Sequence, residues 1–352
     1  MIESLARRQA LRLSEPVQYL GENLSFGEFP FVPSACCNAV AKGLSRVNRY
    51  ADPNQRELRK ALARYCRVRP QNVVATNGGN EAIELVARAF INPGDKVVVV
   101  EPCYPVYESS SSFLGAKVVR VSLREDFSLD EKALLRKARG AKIVWIASPN
   151  NPTGNELLSP QFVKQFVAFF KGILVIDECY FEYCGKTFAK LACTRERVIV
   201  LRSLSKIGLA GAYLGYLIAE PATARLLDKV RMACLDTSVN IFAQSCAIAL
   251  LADRKAFSRM LSKFSKLKKQ FCSRLSVLGF EVLPSKTSFV LLRCENPEVL
   301  FARLQRQGFR VKKSARGLVS LRVPGRKEWT AVLRAFRNAR TARTARTAMG
   351  VV

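Results

Sequence analysis

The sequence predicts an α/β protein, with a mostly parallel sheet sandwiched by helices and a smaller α+β domain after it. Three observations carry this expectation. Short Val/Ile-rich runs recur between residues 73 and 220, segments with helical spacing lie between them, and the texture changes after residue 220. Apolar runs that are continuous rather than alternating mark strands covered on both faces, and helices between such strands give parallel crossovers. At 352 residues and 49% hydrophobic content, the chain can bury one large core and a smaller one.

Taken in order, "VVAT" (73–76) leads into "GGNEAIELVARAFI", where Ile83, Val86, Ala87 and Phe90 recur at helical spacing. The turn "NPGD" introduces the strand "KVVVVEP" (96–102), and "AKVVRVSL" (116–123) precedes a charged helical pattern over 130–139. "KIVWIASP" (142–149), "GILVIDE" (172–178), "RVIVLRS" (197–203) and "YLGYLIAE" (213–220) complete the strand-like set. One long helical region is expected over 222–278, basic along "SKFSKLKKQF". The short pieces "FEVLP", "SFVLLRC", "FRVKK" and "LVSLRV" follow it. The expected division is an N-terminal segment 1–44 packing with the small domain, a large domain 45–250, a small domain 251–337 and a basic low-complexity tail 338–352.

Composition removes several classes of chemistry. There is no histidine, so no His-containing zinc site and no histidine base, and no metal is expected. Eleven cysteines, an odd number without a CxxC, fit reduced thiols in the cytoplasm better than a disulfide framework. No GxGxxG follows the first strand, so the dinucleotide fingerprint is missing. No apolar run is long enough to span a bilayer, and the first residues lack a signal peptide's apolar region. The net charge of +29 suggests anionic ligands, nucleic acid or an acidic surface as partner, but a trait of the host's proteome or internal salt is the preferred reading, and nucleic acid is not an expected partner. Arg334, Arg337, Arg340, Arg343 and Arg346, spaced by three, read as a solvated extension.

Chemistry-bearing residues gather at strand ends, where open α/β sheets bind ligands. "ATNGGNEA" opens a helix whose backbone N–H groups can hold an anion. "EPCYP" offers Tyr104, "SPNNPTG" offers Asn151, "VIDECYFEY" offers Asp177 and Tyr180, and "SLSK" offers Ser203, Ser205 and Lys206. Singly, each has a structural explanation: Asn151 as a turn residue, Asp177 as a helix cap, Tyr104 as packing, Gly78-Gly79 as a tight turn.

Together and in this order, the motifs resemble class I/II aminotransferases, the fold-type I enzymes dependent on pyridoxal 5′-phosphate (PLP), over roughly residues 22–336. The resemblance implies a lysine Schiff base at Lys206, Asp177 against the pyridine nitrogen, and Asn151 and Tyr180 on the phenolic oxygen. It further implies Tyr104 stacked on the ring, and Gly79, Asn80, Ser203 and Ser205 around the phosphate. The freed Lys206 amine would then be the general base that a histidine-free protein needs.

Arg322 in "LVSLRVPG" resembles the arginine that grips a substrate carboxylate, alongside Asn151. Tyr50 in "VNRYADP" resembles the tyrosine that reaches the neighbouring subunit's cofactor phosphate, which implies a homodimer. "RYADPNQRELRKALARY" and "GENLSFGEFPF" look most like the histidinol-phosphate aminotransferase branch, which exchanges an amino group with 2-oxoglutarate and glutamate. The alternatives are a threonine-phosphate decarboxylase, another amino-acid aminotransferase, or a non-catalytic nucleic-acid-associated protein on the same fold. Two departures stand out. Tyr213 occupies the place of an expected phosphate-gripping arginine, and a phenol offers one hydrogen bond and no charged fork. "GEFP" replaces the usual "NENP", which bears on substrate recognition.

Overall fold

A computed structural model describes residues 22–25, 27–313 and 317–347. Its centre is a seven-stranded sheet in the order β2-β8-β7-β6-β5-β3-β4. The strands are β2 (Val73–Thr76), β3 (Lys96–Glu101), β4 (Lys117–Ser122), β5 (Ile143–Ala147), β6 (Ile173–Asp177), β7 (Val198–Ser203) and β8 (Gly215–Ile218). All neighbours pair in parallel except β8, which runs antiparallel to both β2 and β7.

The unbroken apolar runs arise because the sheet is covered on both faces. Val98, Val100, Val144, Ile146 and Ile176 enter one core, while Val97, Val99, Ile143, Trp145 and Val175 enter the other. This is the two-residue alternation of a strand, with both sides apolar. The helices that cover the sheet include α1 (Ser34–Leu44), α2 (Arg56–Cys66), α3 (Gly78–Phe90), α4 (Val106–Phe113), α5 (Glu131–Ala138) and α6 (Pro160–Phe169). Two single turns, α7 (Phe181–Cys184) and α8 (Ala189–Ala192), follow β6.

The helical region expected over 222–278 is three helices: α9 (Pro221–Leu235), α10 (Ile241–Ala252) and α11 (Arg254–Val277). Asn240 and Asp253 divide it. Each side chain accepts from a backbone N–H three residues on, at 2.9 and 2.8 Å, and so starts a new helix.

Beyond α11, a second, antiparallel sheet has the order β12-β13-β10-β9. Its strands are β9 (Glu281–Leu283), β10 (Phe289–Arg293), β12 (Lys312–Lys313) and β13 (Leu318–Arg322), with α12 (Pro297–Arg306) between β10 and β12. "FRVKK" is therefore two pieces, since β11 (Phe309–Arg310) leaves this sheet to pair in parallel with β1 (Glu22–Asn23). One face of the antiparallel sheet packs Val290, Leu292, Val319 and Leu321 against Phe264, Phe271 and Leu275 of α11, and against Val332 and Phe336 of α13 (Trp329–Thr347). The basic tail thus continues a helix as far as Thr347. Alanine and arginine are strong helix formers, and no glycine or proline intervenes. Side chains from Arg340 onward, Arg343 and Arg346 included, lie outside the described residues.

Candidate active site

The carboxyl ends of β5, β6 and β7 meet the N-terminus of α3 around a cavity of about 350 Å³. Gly79, Asn80, Tyr104, Asn151, Asp177, Tyr180, Ser203, Ser205 and Lys206 all line it. Nine residues chosen from five separate sequence segments therefore share one cavity. Each arrives there for a local reason.

Asp177 is the last residue of β6 and is 6% exposed. Its Oδ1 accepts from the Cys179 backbone N–H at 2.8 Å, and its Oδ2 accepts from the Tyr107 hydroxyl at 2.5 Å. Burial raises its pKa above the usual carboxylate range, against the lowering pull of Tyr107, Cys179 and the charge of Lys206. Tyr107 is itself fully buried, stacked on Trp145 with ring centroids 5.5 Å apart and planes 4° from parallel. Sequence reading missed Tyr107, which lies in the first turn of α4 with its ring edge-on to Tyr104, centroids 5.9 Å apart. The Tyr104 hydroxyl donates to Asn80 Oδ1 at 2.9 Å, and burial pushes the phenol up to about 12.

The N-terminus of α3 is shaped by two glycines. Gly78 has φ +76°, and a Cβ there would stand 2.6 Å from the Tyr213 ring. At Gly215 on β8 a Cβ would stand 2.5 Å from the Gly78 carbonyl and 2.7 Å from the Gly79 nitrogen. Strand and helix start can approach this closely only without side chains, and the approach presents free N–H groups to the cavity. Tyr213, with φ 48°, lines the cavity with its ring against Gly78.

Lys206 follows β7 in the 3₁₀ turn Leu204–Ile207. Ser203 Oγ accepts from the Ser205 N–H at 3.2 Å and lies 3.4 Å from the Leu214 carbonyl. The Tyr183 hydroxyl donates to the Lys206 carbonyl, so the backbone carrying the amine is held. Behind it, Arg202 and Glu178 form a fully buried pair at 2.9 Å, with the guanidinium 3.7 Å from the Phe181 ring centroid. Breaking one half of such a pair costs about 3–5 kcal/mol, so the strand end is anchored firmly.

Two predicted residues do not line the cavity. Tyr50 is 88% exposed. Arg322, at the end of β13, gives two bonds to Glu328, at 3.0 and 2.6 Å. Its strand register nevertheless faces it toward the cavity side of the sheet, since it pairs with Phe289, whose ring meets Tyr180 edge-on at 5.5 Å. Lys312 shares that face through its partner Ser320, two residues before Arg322. Burial and the nearby Lys206 charge both lower the Lys312 pKa. Lys312 was not singled out from the sequence, where "VKK" reads as an ordinary basic strand end. Gly27 and Glu28 of "GEFP" line the cavity as well.

Among the described residues no group of three or more His, Cys, Asp or Glu is placed to hold a metal, and no helix is long and apolar enough to cross a membrane. What the arrangement offers is an anion cradle, a flat aromatic wall, a buried carboxylate and a primary amine, all within reach of one small molecule.

Comparison with known proteins agrees with this geometry. The family described as aminotransferase class I and II matches residues 21–344. A histidinol-phosphate aminotransferase of Thermoanaerobacter pseudethanolicus is 35% identical over 273 residues, 76% of each chain. One from Sulfurisphaera tokodaii is 30% identical over 322 residues, 89% of each. Among solved structures, a histidinol-phosphate aminotransferase of Sinorhizobium meliloti in complex with pyridoxal-5′-phosphate has a TM-score of 0.86 at 24% identity, over 94% of this chain and 96% of that one. The Clostridium acetobutylicum histidinol-phosphate aminotransferase has a TM-score of 0.81 at 25% identity, over 91% and 99%. The chain belongs to the class I and II aminotransferase family.

Proposed function

We propose that the protein is a PLP-dependent aminotransferase that moves the amino group of histidinol phosphate, or of a similar phosphorylated amine, to 2-oxoglutarate to give glutamate. The observation that carries the reading is the convergence of Lys206, Asp177, Tyr104 and the α3 N-terminus on one cavity. The donors present fit the cofactor. A phosphate suits the N–H groups at Gly79 and Asn80 with the hydroxyls of Ser203 and Ser205, a flat ring suits Tyr104, and a ring nitrogen suits Asp177.

When bound, PLP supplies an electron sink for the electrons of the bond broken at the amine-bearing carbon. The chain's own residues do the rest. Asp177 holds a proton at the ring nitrogen, where its buried carboxylate and a cation stabilise each other. Asn151 and Tyr180 orient the phenolic oxygen. Lys206 would hold the cofactor through its amine, and the free amine would carry a proton to and from the reacting carbon. Arg322 and Lys312 supply positive charge on the small-domain side for an anionic substrate, and Gly27 and Glu28 close the same side. Tyr213 would offer the phosphate one hydrogen bond where an arginine is expected, so cofactor affinity would rest on the backbone cradle and the serines.

The reading extends to a cytoplasmic homodimer in which Tyr50 reaches the neighbouring site. Eleven free thiols support the compartment. Tyr50 supports the dimer, together with Val32, Leu44 and Val47, which are 79%, 58% and 67% exposed on the segment around α1. Mixing Tyr50→Ala with Lys206→Ala protein tests it, since a mixed dimer regains one complete site while a monomeric enzyme regains none.

The substrate test is to load the protein with PLP and add histidinol phosphate, threonine phosphate or glutamate. Conversion of histidinol phosphate with 2-oxoglutarate, giving one glutamate per turnover and no carbon dioxide, is the expected result. Release of carbon dioxide from threonine phosphate would replace the reading with a decarboxylase.

A further inference from the structure

We propose that the exposed face of α11 is a docking surface for the phosphate backbone of nucleic acid, bound without regard to sequence. The first observation is where the charge lies. Of the 57 Lys and Arg and 28 Asp and Glu in the chain, residues 254–347 hold 24 and 4, which is +20 of the net +29. A host-wide basic composition would spread the charge along the chain. Here about a quarter of the length carries most of it, and the expectation drawn from net charge alone is revised accordingly.

The second observation is how the fold presents that charge. The buried stripe of α11 is Phe257, Phe264, Leu267, Phe271 and Leu275, which leaves Lys255, Arg259, Lys263, Lys266, Lys269 and Arg274 exposed. Spacings of three to five residues keep these six cations on one side of the helix, over about 30 Å. That length is close to one turn of duplex, about 34 Å. There is no acidic residue between Arg254 and Phe280. Among the described residues none of the six is in an ion pair, whereas the large domain pairs several of its exposed cations, as in Arg56–Asp52 and Arg120–Glu108. Arg326 extends the surface, bonded to Gln270 of α11 at 2.5 Å.

The residues between the cations decide the class of partner. The exposed positions Ser258, Ser262, Ser265, Gln270 and Ser273 are small and polar. A helix that lies in a lipid surface interleaves its cations with Trp, Phe or Leu, whereas the large apolar side chain exposed on this helix is Val277, at its last residue and beyond the cations. Small hydroxyl and amide groups beside cations that no carboxylate pairs, among them Lys263, 4.6 Å from the Phe31 ring centroid, instead suit phosphate oxygens.

The test is fluorescence anisotropy of a labelled 30-base-pair DNA duplex of arbitrary sequence with the full-length, PLP-loaded protein, from 50 to 200 mM salt. Six backbone contacts predict a log–log salt slope near −5 and a loss of about 1000-fold across that range. The variant Lys255→Gln/Arg259→Gln/Lys266→Gln/Lys269→Gln lowers the steepness of that slope by about 4. The control Lys117→Gln/Lys132→Gln/Arg136→Gln/Lys164→Gln removes the same charge from the large domain and keeps the wild-type slope. None of the eight residues lines the catalytic cavity, so both variants keep the basal activity. Should the α11 variant fail to fold, protection of Lys255, Lys263, Lys266 and Lys269 from acetylation by the duplex in wild type reads the same contact. The proposal is overturned by no binding at 50 mM salt, by equal loss in both variants, or by no protection of these lysines. Binding to phosphatidylserine vesicles without binding to the duplex also overturns it.

Discussion

Asp177 sits nearly out of reach of water, and Tyr107 Oη and the Cys179 N–H are what hold its two oxygens. Tyr107→Phe keeps the stack on Trp145 and removes only the donor. It leaves Asp177 easier to protonate, so the acid limb of the kcat/KM profile moves to higher pH. We expect kcat to fall about 10- to 100-fold, which is about 1.4–2.8 kcal/mol, with KM for the amine nearly unchanged. An unshifted acid limb would reduce Tyr107 to packing. A second acid, half-buried, gives a stability prediction. Glu182 accepts from the Tyr65 hydroxyl at 2.9 Å, and burial raises it from 4.5 to about 7. The native state then holds a proton that the unfolded chain has lost between these values, so stability falls as pH rises from about 4.5 to 7. Glu182→Gln should flatten this part of the curve, by about 3 kcal/mol at most. Melting temperatures measured across that range check it, and parallel curves for the two proteins would contradict it.

The strands and their edge were legible because each apolar run is unbroken and each ends in a motif. "VIDE", "RVIVLRS" and "KIVWIASP" became β6, β7 and β5 with Asp177, Ser203 and Asn151 at their carboxyl ends. Local caps were legible too, and the helical region expected over 222–278 is divided at Asn240 and Asp253, which the reading of that region did not mark. Contacts across long separations were not. Tyr107 meets Asp177 from 70 residues away, and only the parallel register of β3 on β5 and of β5 on β6 brings them together. Arg322 was recognisable as a cation near a strand end, but its pairing with Glu328 depends on the turn after β13. The close approach of β8 to α3 is likewise invisible in a list of residues, and it makes Gly215 the most sensitive position of the cradle. Gly215→Ala pushes a methyl into the Gly78–Gly79 peptide, so PLP affinity should fall at least tenfold with a lowered melting temperature. Wild-type affinity in a titration of this variant would show that the cradle does not depend on the contact.

The whole molecule separates two kinds of surface. A large domain with a doubly covered sheet carries the buried carboxylate, the amine and the anion cradle, and the small antiparallel sheet brings Arg322 and Lys312 to face them. The sequence from Arg254 to Thr347 carries most of the chain's excess charge, and six of its cations lie on the exposed side of α11. Catalysis and the cationic face therefore occupy different elements and can be altered independently. Two lysines, Lys206 and Lys312, lie close enough to influence each other, and only one of them stands at the end of β7 with a held backbone. The most direct measurement is to incubate the protein with PLP, reduce it with borohydride and map the modified peptide by mass spectrometry. Cofactor mass on Lys206 alone, absent in Lys206→Ala, is the predicted result. Stable modification of Lys312 in its place, or of no lysine, would contradict the assignment of Lys206 and with it the mechanism.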